Sequence, residues 1–234
     1  MARKSLVSVV ADALLDDIVT GAIGISAALP SEAEIGERFD VSRVTVREAL
    51  RVLTTQSIIR VTSGIGSVVN PLDEWQSLSA ILRYRSVRGD SGEVATQLIA
   101  VRRMFESEAA ALAATGLSDQ GLEELEECIE RMREGSTAND VEGFVDADLR
   151  FHDVILRGSG NVFLAALFEP LTRVLAERRA ETSRVHEIQL HAIDEHAAIL
   201  RALRDRDDAT ARAAMDHHMQ QTLDDLHTYV LAKH

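Results

Sequence analysis

The chain has 234 residues, 46% of them hydrophobic, and a formal net charge of −13; that is enough apolar content for a sizeable core and enough length for one large or two smaller domains. It lacks an apolar run of the roughly 18 residues a membrane helix needs and an apolar leader followed by a cleavage site, so a cytoplasmic globular protein without membrane contact is expected. The single cysteine, Cys128, lies in the acidic segment 123–134 and fits an inert thiol in a reducing compartment.

The acidic charge is unevenly placed. Residues 1–70 carry seven Lys/Arg against eight Asp/Glu, and the remainder carries eighteen against thirty. An acidic body repels phosphate, so any contact with nucleic acid is confined to the near-neutral N-terminal part.

In chain order, the first amphipathic segment is 6–19, with Leu6, Val9, Val10, Ala13, Leu14 and Ile18 on one side and Asp12, Asp16 and Asp17 on the other. Gly21 and Gly24 end it. Pro30-Ser31-Glu32-Ala33-Glu34 opens a second helix with a capping box from Ser31 to Glu34, and that short helix stops near Phe39-Asp40. A third helix starts at Ser42, a natural N-cap. Its Val46, Ala49, Leu50 and Leu53 form one apolar stripe, while Arg43, Arg47 and Arg51 recur every fourth residue on an adjacent face. Guanidinium groups so spaced suit phosphates and guanine edges in a DNA groove; the alternative is a solvated face paired locally with Glu48. Residues 58–61 and 67–69 are β-branched runs joined by Thr62-Ser63-Gly64-Ile65-Gly66, which predicts a hairpin.

Helix, capped helix, arginine-faced helix and hairpin in that order make a winged helix-turn-helix. Leu29-Pro30-Ser31-Glu32, Val41-Ser42-Arg43, Val46-Arg47-Glu48-Ala49-Leu50 and the Gly64/Gly66 wing resemble the DNA-binding head of the GntR family of bacterial transcription regulators. The resemblance implies operator contacts from Arg43, Thr45 and Arg47, with Ser42, Arg51 and the wing glycines Gly64 and Gly66 beside them. Ala33 stands where several members carry a DNA-contacting arginine, so operator contacts from the second helix are expected either to be weaker or to shift to Arg38.

Asn70-Pro71 marks a boundary, since proline cannot extend a central strand. The expected domains are 1–70, a winged helix-turn-helix; 71–90, a linker helix with Trp75, Leu78, Ile81, Leu82 and Tyr84; and 91–234, an all-helical effector-binding and dimerisation domain. Within the last, helices are expected at about 91–115, 118–134, 140–158, 161–182, 185–204 and 206–232, with breaks at Gly116, Gly135-Ser136, Gly158-Ser159-Gly160 and Asp205 and a kink at Pro170. The fold class is mainly α: a winged head and a bundle of six or seven helices.

Asp148 and His152, four residues apart, share one helix face and form half a metal site. His196, between Ile193 and Leu200, and His218, between Met215 and Met219, both point inward by periodicity, whereas His191 and His217 are expected to be exposed. A single buried histidine is usually a hydrogen-bonded core residue; three with an aspartate, on three helices, suggest a divalent metal such as zinc, nickel or manganese. Arg102 lies on the stripe of Ala95, Leu98, Phe105, Ala109 and Leu112, where its charge requires an anion. That anion is either Glu106, one turn on, or the carboxylate of a small organic acid. Asn161 is a further pocket candidate or else a helix cap.

The same four residues resemble the ligand set of the FCD effector domain found in the FadR-type branch of the family, and Val101-Arg102-Arg103-Met104-Phe105-Glu106 resembles the segment that supplies its carboxylate anchor. The resemblance implies a metal-containing, ligand-responsive repressor, a homodimer that reads palindromic double-stranded operator DNA. The stretch from Asn70 to Tyr84 is similar to members that sense sugar acids such as gluconate or galactonate. The rival expectations are a sensor for which the ion is the signal, and a metal-dependent hydrolase or isomerase, for which no His-Glu-x-x-His pair or well-placed general base is present.

Overall fold

The computed structural model describes residues 5–168 and 171–233. Contacts divide the chain into two compact units, Met1–Ser91 and Gly92–His234.

In the N-terminal unit, α1 (Leu6–Thr20) is capped by Ser5 and closed by Gly21 at φ +85°. It buries Val10, Ala11, Leu14, Leu15, Ile18 and Val19, whereas Leu6 and Val9 are exposed. The stripe is rotated from the expected one, and the acidic side is put to use: Asp16 pairs with Arg83 and Asp17 with Arg38. The expected capping box opens α2 (Glu32–Phe39). In the turn into α3 (Arg43–Thr55), Val41 N–H donates to Gly36 O at 3.1 Å. Strands β1 (Ile59–Thr62) and β2 (Gly66–Val69) pair antiparallel in the register Ile59 to Val69 and Thr62 to Gly66. Gly64 at φ +78° and Gly66 at φ +100° supply the left-handed turn that other residues resist. Residues 26–29 add a short third edge to β2, with Leu29 N–H donating to Ser67 O at 2.8 Å and Val69 N–H to Ala27 O at 2.9 Å. No β-branched run announces that edge.

The segment expected as a linker helix belongs to the head's packing. A 3-10 turn, Leu72–Glu74, precedes α4 (Leu78–Arg88). Trp75 and Ala80 are buried in the cluster formed by Val10, Leu14, Leu53 and Ile59. The Trp75 indole donates to the Asn70 carbonyl at 3.1 Å, and the Asn70 amide binds Ser57 O and Arg60.

The C-terminal unit holds seven helices among the described residues: α5 (Ser91–Gly116), α6 (Asp119–Ala138), α7 (Val141–Gly158), α8 (Val162–Phe168), α9 (Thr172–Thr182), α10 (His186–Arg204) and α11 (Asp208–Asp225). A π-helical turn, Leu226–Val230, follows. The expected break at Gly135-Ser136 does not occur: α6 runs on to a left-handed cap at Asn139. Gly135 instead admits α7, since a Cβ there would meet the Phe144 backbone nitrogen at 3.0 Å. The single helix expected over 161–182 is two, α8 and α9, and Pro170 lies outside the described residues. Helix α6 packs on α7 and α10, α10 on α11, and α7 on α8 and α9. Leu125, Met132, Phe151, Ile155, Ile199 and Leu203 fill the centre. Arg103 with Asp216 and Arg212 with Glu108 fasten α5 to α11.

Candidate metal centre and nucleic-acid interface

On the head, Ser42 accepts from Thr45 N–H at 3.2 Å and its hydroxyl meets that of Thr45 at 3.0 Å, so both residues serve the helix start. Val46, Ala49, Leu50 and Leu53 are buried, which leaves Arg43, Arg47 and Arg51 exposed. Arg43 makes no ion pair among the described residues. Arg47 reaches Glu32 at 2.9 Å, and Arg51 sits 3.9 Å from Glu48. Arg47 and Arg51 line a cleft of about 540 Å³ together with Val61, Ile65 and Gly66 of the wing. Arg38 is not in that lining: it is bound to Asp17, with Nη2 donating to Oδ1 at 3.1 Å, and covers the Phe39 ring. It joins α2 to α1 and stays half exposed.

In the bundle, the periodicity that placed three histidines inward holds. His152 on α7, His196 on α10 and His218 on α11 are all buried, with one ring nitrogen of each within 4.8 Å of the others. Ring centroids are 5.1 Å apart for His152 and His196 and 4.6 Å for His196 and His218, and Phe151 closes the floor 4.3 Å from His196. Asp148 Oδ1 lies 3.2 Å from His196 Nε2 and 3.9 Å from His152 Nε2. His191 and His217 lie apart from this group, on Asp225 at 3.0 Å and Glu195 at 2.9 Å.

Burial lowers the pKa of all three cluster histidines and takes His196 and His218 well below the ordinary imidazole value; His152 adds to the shift of His196, and His196 and then His152 add to that of His218. His196 Nδ1 faces the Ala192 carbonyl at 2.5 Å and therefore carries the proton, which leaves a lone pair on Nε2. Among the described residues that nitrogen is buried without a hydrogen-bond partner, and it faces a carboxylate oxygen. Two acceptors so close repel unless a cation joins them. The three imidazoles fit a divalent ion; Asp148 stands beside His196 and His152 and is not part of that three-residue group.

Arg102 has a protein partner. Its Nε donates to Glu106 Oε1 at 2.7 Å, the other Glu106 oxygen faces His152 Nδ1, and Arg102 Nη2 comes within 3.4 Å of His152 Nε2. Burial alone raises the Glu106 pKa, but Arg102 and then His152 and Arg179 overcome it and hold the carboxyl well below its usual range. The stripe of α5 is rotated accordingly: Glu106 is inside, while Phe105 and Leu112 are exposed. Asn161 is exposed and accepts from Phe163 N–H at 3.0 Å, the helix-capping role. It does not line the cavity of about 450 Å³ bounded by Glu106, His152, Leu156, Phe168, Leu175 and Arg179.

Arg179 on α9 is the residue the sequence reading missed. Its guanidinium pairs with Asp148 Oδ2. The signal was present, because Leu171, Leu175 and Arg179 follow at steps of four and both leucines are buried, which puts Arg179 on the inward side of its helix.

A winged helix-turn-helix head joined to a helical sensor body with a buried polar centre defines the class, a DNA-binding transcriptional regulator that responds to a ligand. The FCD domain profile matches residues 97–221, and that of the bacterial regulatory proteins, gntR family, matches 6–69. The chain is 30% identical to the transcriptional repressor NanR of Klebsiella aerogenes over 94% of its own length and 85% of the relative's. It is 29% identical to the galactonate operon transcriptional repressor of Escherichia coli, with 85% and 87% covered, and 28% identical to the Glc operon transcriptional activator of that organism, with 99% and 93% covered. Among solved structures, a GntR protein of Streptococcus agalactiae superposes with a TM-score of 0.54 at 26% identity over 93% of this chain and 99% of that one. Lar of Listeria monocytogenes shares the fold with a TM-score of 0.66 at 21% identity, covering 98% and 100%. The protein belongs to the GntR family of bacterial transcription regulators, in the FadR-type branch that carries an FCD domain. These relatives are named as regulators, not enzymes, and no described helix is long and apolar enough to cross a membrane.

Proposed function

We propose that this protein is a metal-containing repressor whose operator affinity is lowered by a small organic acid of the sugar-acid class. The observation that carries the reading is a charge balance. Arg102 and Arg179 are offset by Glu106 and Asp148, and burial favours neutral histidines. Zinc, nickel or manganese held by Asp148, His152, His196 and His218 would leave this interior with two surplus positive charges, and an anionic ligand is the means of offsetting them. The ion, when bound, supplies a Lewis-acidic contact for a carboxylate or hydroxyl oxygen of the effector. Arg102 adds a charged contact beside it, and Glu106 fixes both Arg102 and the His152 ring.

Two heads of a homodimer would read a palindromic operator with Arg43, Thr45, Arg47 and Arg51, the wing following the adjacent groove. The acid must bind better to the conformer of lower operator affinity, and operator must weaken acid binding by the same factor. Similarity to a galactonate operon repressor supports sugar acids as the first candidates. The test is an operator-shift titration with galactonate and gluconate on metal-loaded, chelated and reloaded protein. Release that disappears on chelation and returns on reloading supports the reading; release by metal alone would make the ion the signal.

A further inference from the structure

Four charged side chains meet in the bundle: Arg102, Glu106, Asp148 and Arg179. Glu106 holds Arg102 with one oxygen and His152 with the other. The fourth, Arg179, depends on Asp148, whose other oxygen faces His196. Among the described residues, Arg179 Nε is buried without a hydrogen-bond partner, as are Glu106 Oε2, Asp148 Oδ2 and His152 Nδ1. The side chain lines both the cavity of about 450 Å³ and a recess of about 60 Å³ behind it, where Arg102, Leu98 and Ile188 complete the wall. Leu175 lines both spaces with it. The arginines toward the cavity mouth are already neutralised, Arg150 by Glu124 and Asp153 and Arg157 by Asp153.

Resting on the metal reading above, we propose that Arg179 is a gated second anchor for a dicarboxylate: it stands in for the cation on Asp148 until a divalent ion takes that carboxylate, and its freed guanidinium then binds the effector's second carboxylate. A buried guanidinium that loses its counter-ion must find another anion, and a fork of N–H donors suits a carboxylate bidentately. The two surplus charges of the metal-loaded interior are matched by a dianion and only half matched by a monoanion. The ligand class narrows from organic acids in general to small dicarboxylates, aldaric acids among them.

Calorimetry on the full chain stripped of metal tests this in two arms. In the first, Mn²⁺ is titrated without any acid into wild type, Arg179→Gln and Arg179→Lys. Removal of the competing cation should tighten Mn²⁺ binding by about tenfold in Arg179→Gln and little in Arg179→Lys. Equal affinity in all three overturns the gate, and wild type that binds no Mn²⁺ overturns the underlying metal reading with it. In the second arm, galactarate is compared with galactonate on wild type. The dicarboxylate should bind about tenfold tighter or better when Mn²⁺ is loaded, with no preference on stripped protein. That comparison needs no variant to fold. Absence of a metal-dependent preference for galactarate overturns the anchor, as does a preference that persists in Arg179→Gln.

Discussion

Arg102 Nε and Glu106 Oε1 lie 2.7 Å apart one turn along α5, with side chains only 3% and 2% exposed. A pair so deep is costly to break from one side, because the survivor is left charged and unsolvated. Arg102→Ala should destabilise the metal-free protein by about 3 to 5 kcal/mol, whereas Arg102→Met combined with Glu106→Gln should recover most of that loss. Urea unfolding followed by circular dichroism separates the two. A single variant as stable as wild type would show that Glu106 has another counter-charge, and Arg179 would be the one to examine.

Glu106 also faces His152 Nδ1, so it fixes which imidazole nitrogen is free to bind an ion. Glu106→Gln should weaken Mn²⁺ binding by about 10- to 100-fold, the range for groups that orient a metal-bound histidine. Calorimetry on stripped protein reads this without effector or operator. Affinity unchanged in a folded Glu106→Gln protein would remove the carboxylate from that role.

The three arginines of α3 differ in what they must give up to reach DNA. Arg43 has no ion pair among the described residues, while Arg47 must leave Glu32. Arg43→Ala should lower operator affinity by about 10- to 100-fold if it reads a base edge. Glu32→Gln should raise affinity a few-fold by releasing Arg47. Arg38→Ala should act mainly on stability, since its partner is Asp17. Operator titrations at several salt concentrations distinguish base contacts from phosphate contacts through the salt slope. An operator defect in Arg38→Ala as large as that in Arg43→Ala would return Arg38 to the reading surface.

What could be read from the residues was local. Ser31 with Glu34 and Ser42 with Thr45 announce helix starts because the partners lie within one turn. Asp148 and His152 announce a shared face for the same reason, and His196 and His218 follow from the period of their helices. Choices made between distant segments could not be read. Gly135 looks like a breaker until α7 is seen packed on it, and Trp75 looks like part of a linker until the head core receives it. Arg102 was singled out while Arg179, its counterpart, was not, because α9 shows only a weak apolar stripe and its partner Asp148 is 31 residues earlier in the chain.

Trp75 is the only tryptophan, so its emission reports on the N-terminal unit. It is buried, donates to Asn70 O at 3.1 Å and packs edge-on against Tyr84 at 5.5 Å. Native emission should be blue-shifted. Trp75→Phe should lose the hydrogen bond at a cost of about 1 kcal/mol, and Trp75→Ala should cost about 3 to 5 kcal/mol and weaken operator binding through loss of folded head. The operator defect of Trp75→Ala should be relieved at low temperature or in stabilising osmolyte. A defect that persists in fully folded protein would mean that Trp75 takes part in recognition.

Cys128, the sole cysteine, is buried on α6, and burial, with Glu124 next, pushes its thiol up to about 11. Because the thiolate is the reactive form, the direction of the shift fixes the outcome: at pH 8 only about one thiol in a thousand is ionised, against roughly one in four for a free cysteine. Ellman's reagent should therefore react with native protein orders of magnitude more slowly than with protein in guanidinium, and the native rate should climb with pH as long as the fold persists. A fast native reaction at pH 8 would require α6 to open locally, and hydrogen exchange along Leu125, Ile129 and Met132 would then have to be equally fast.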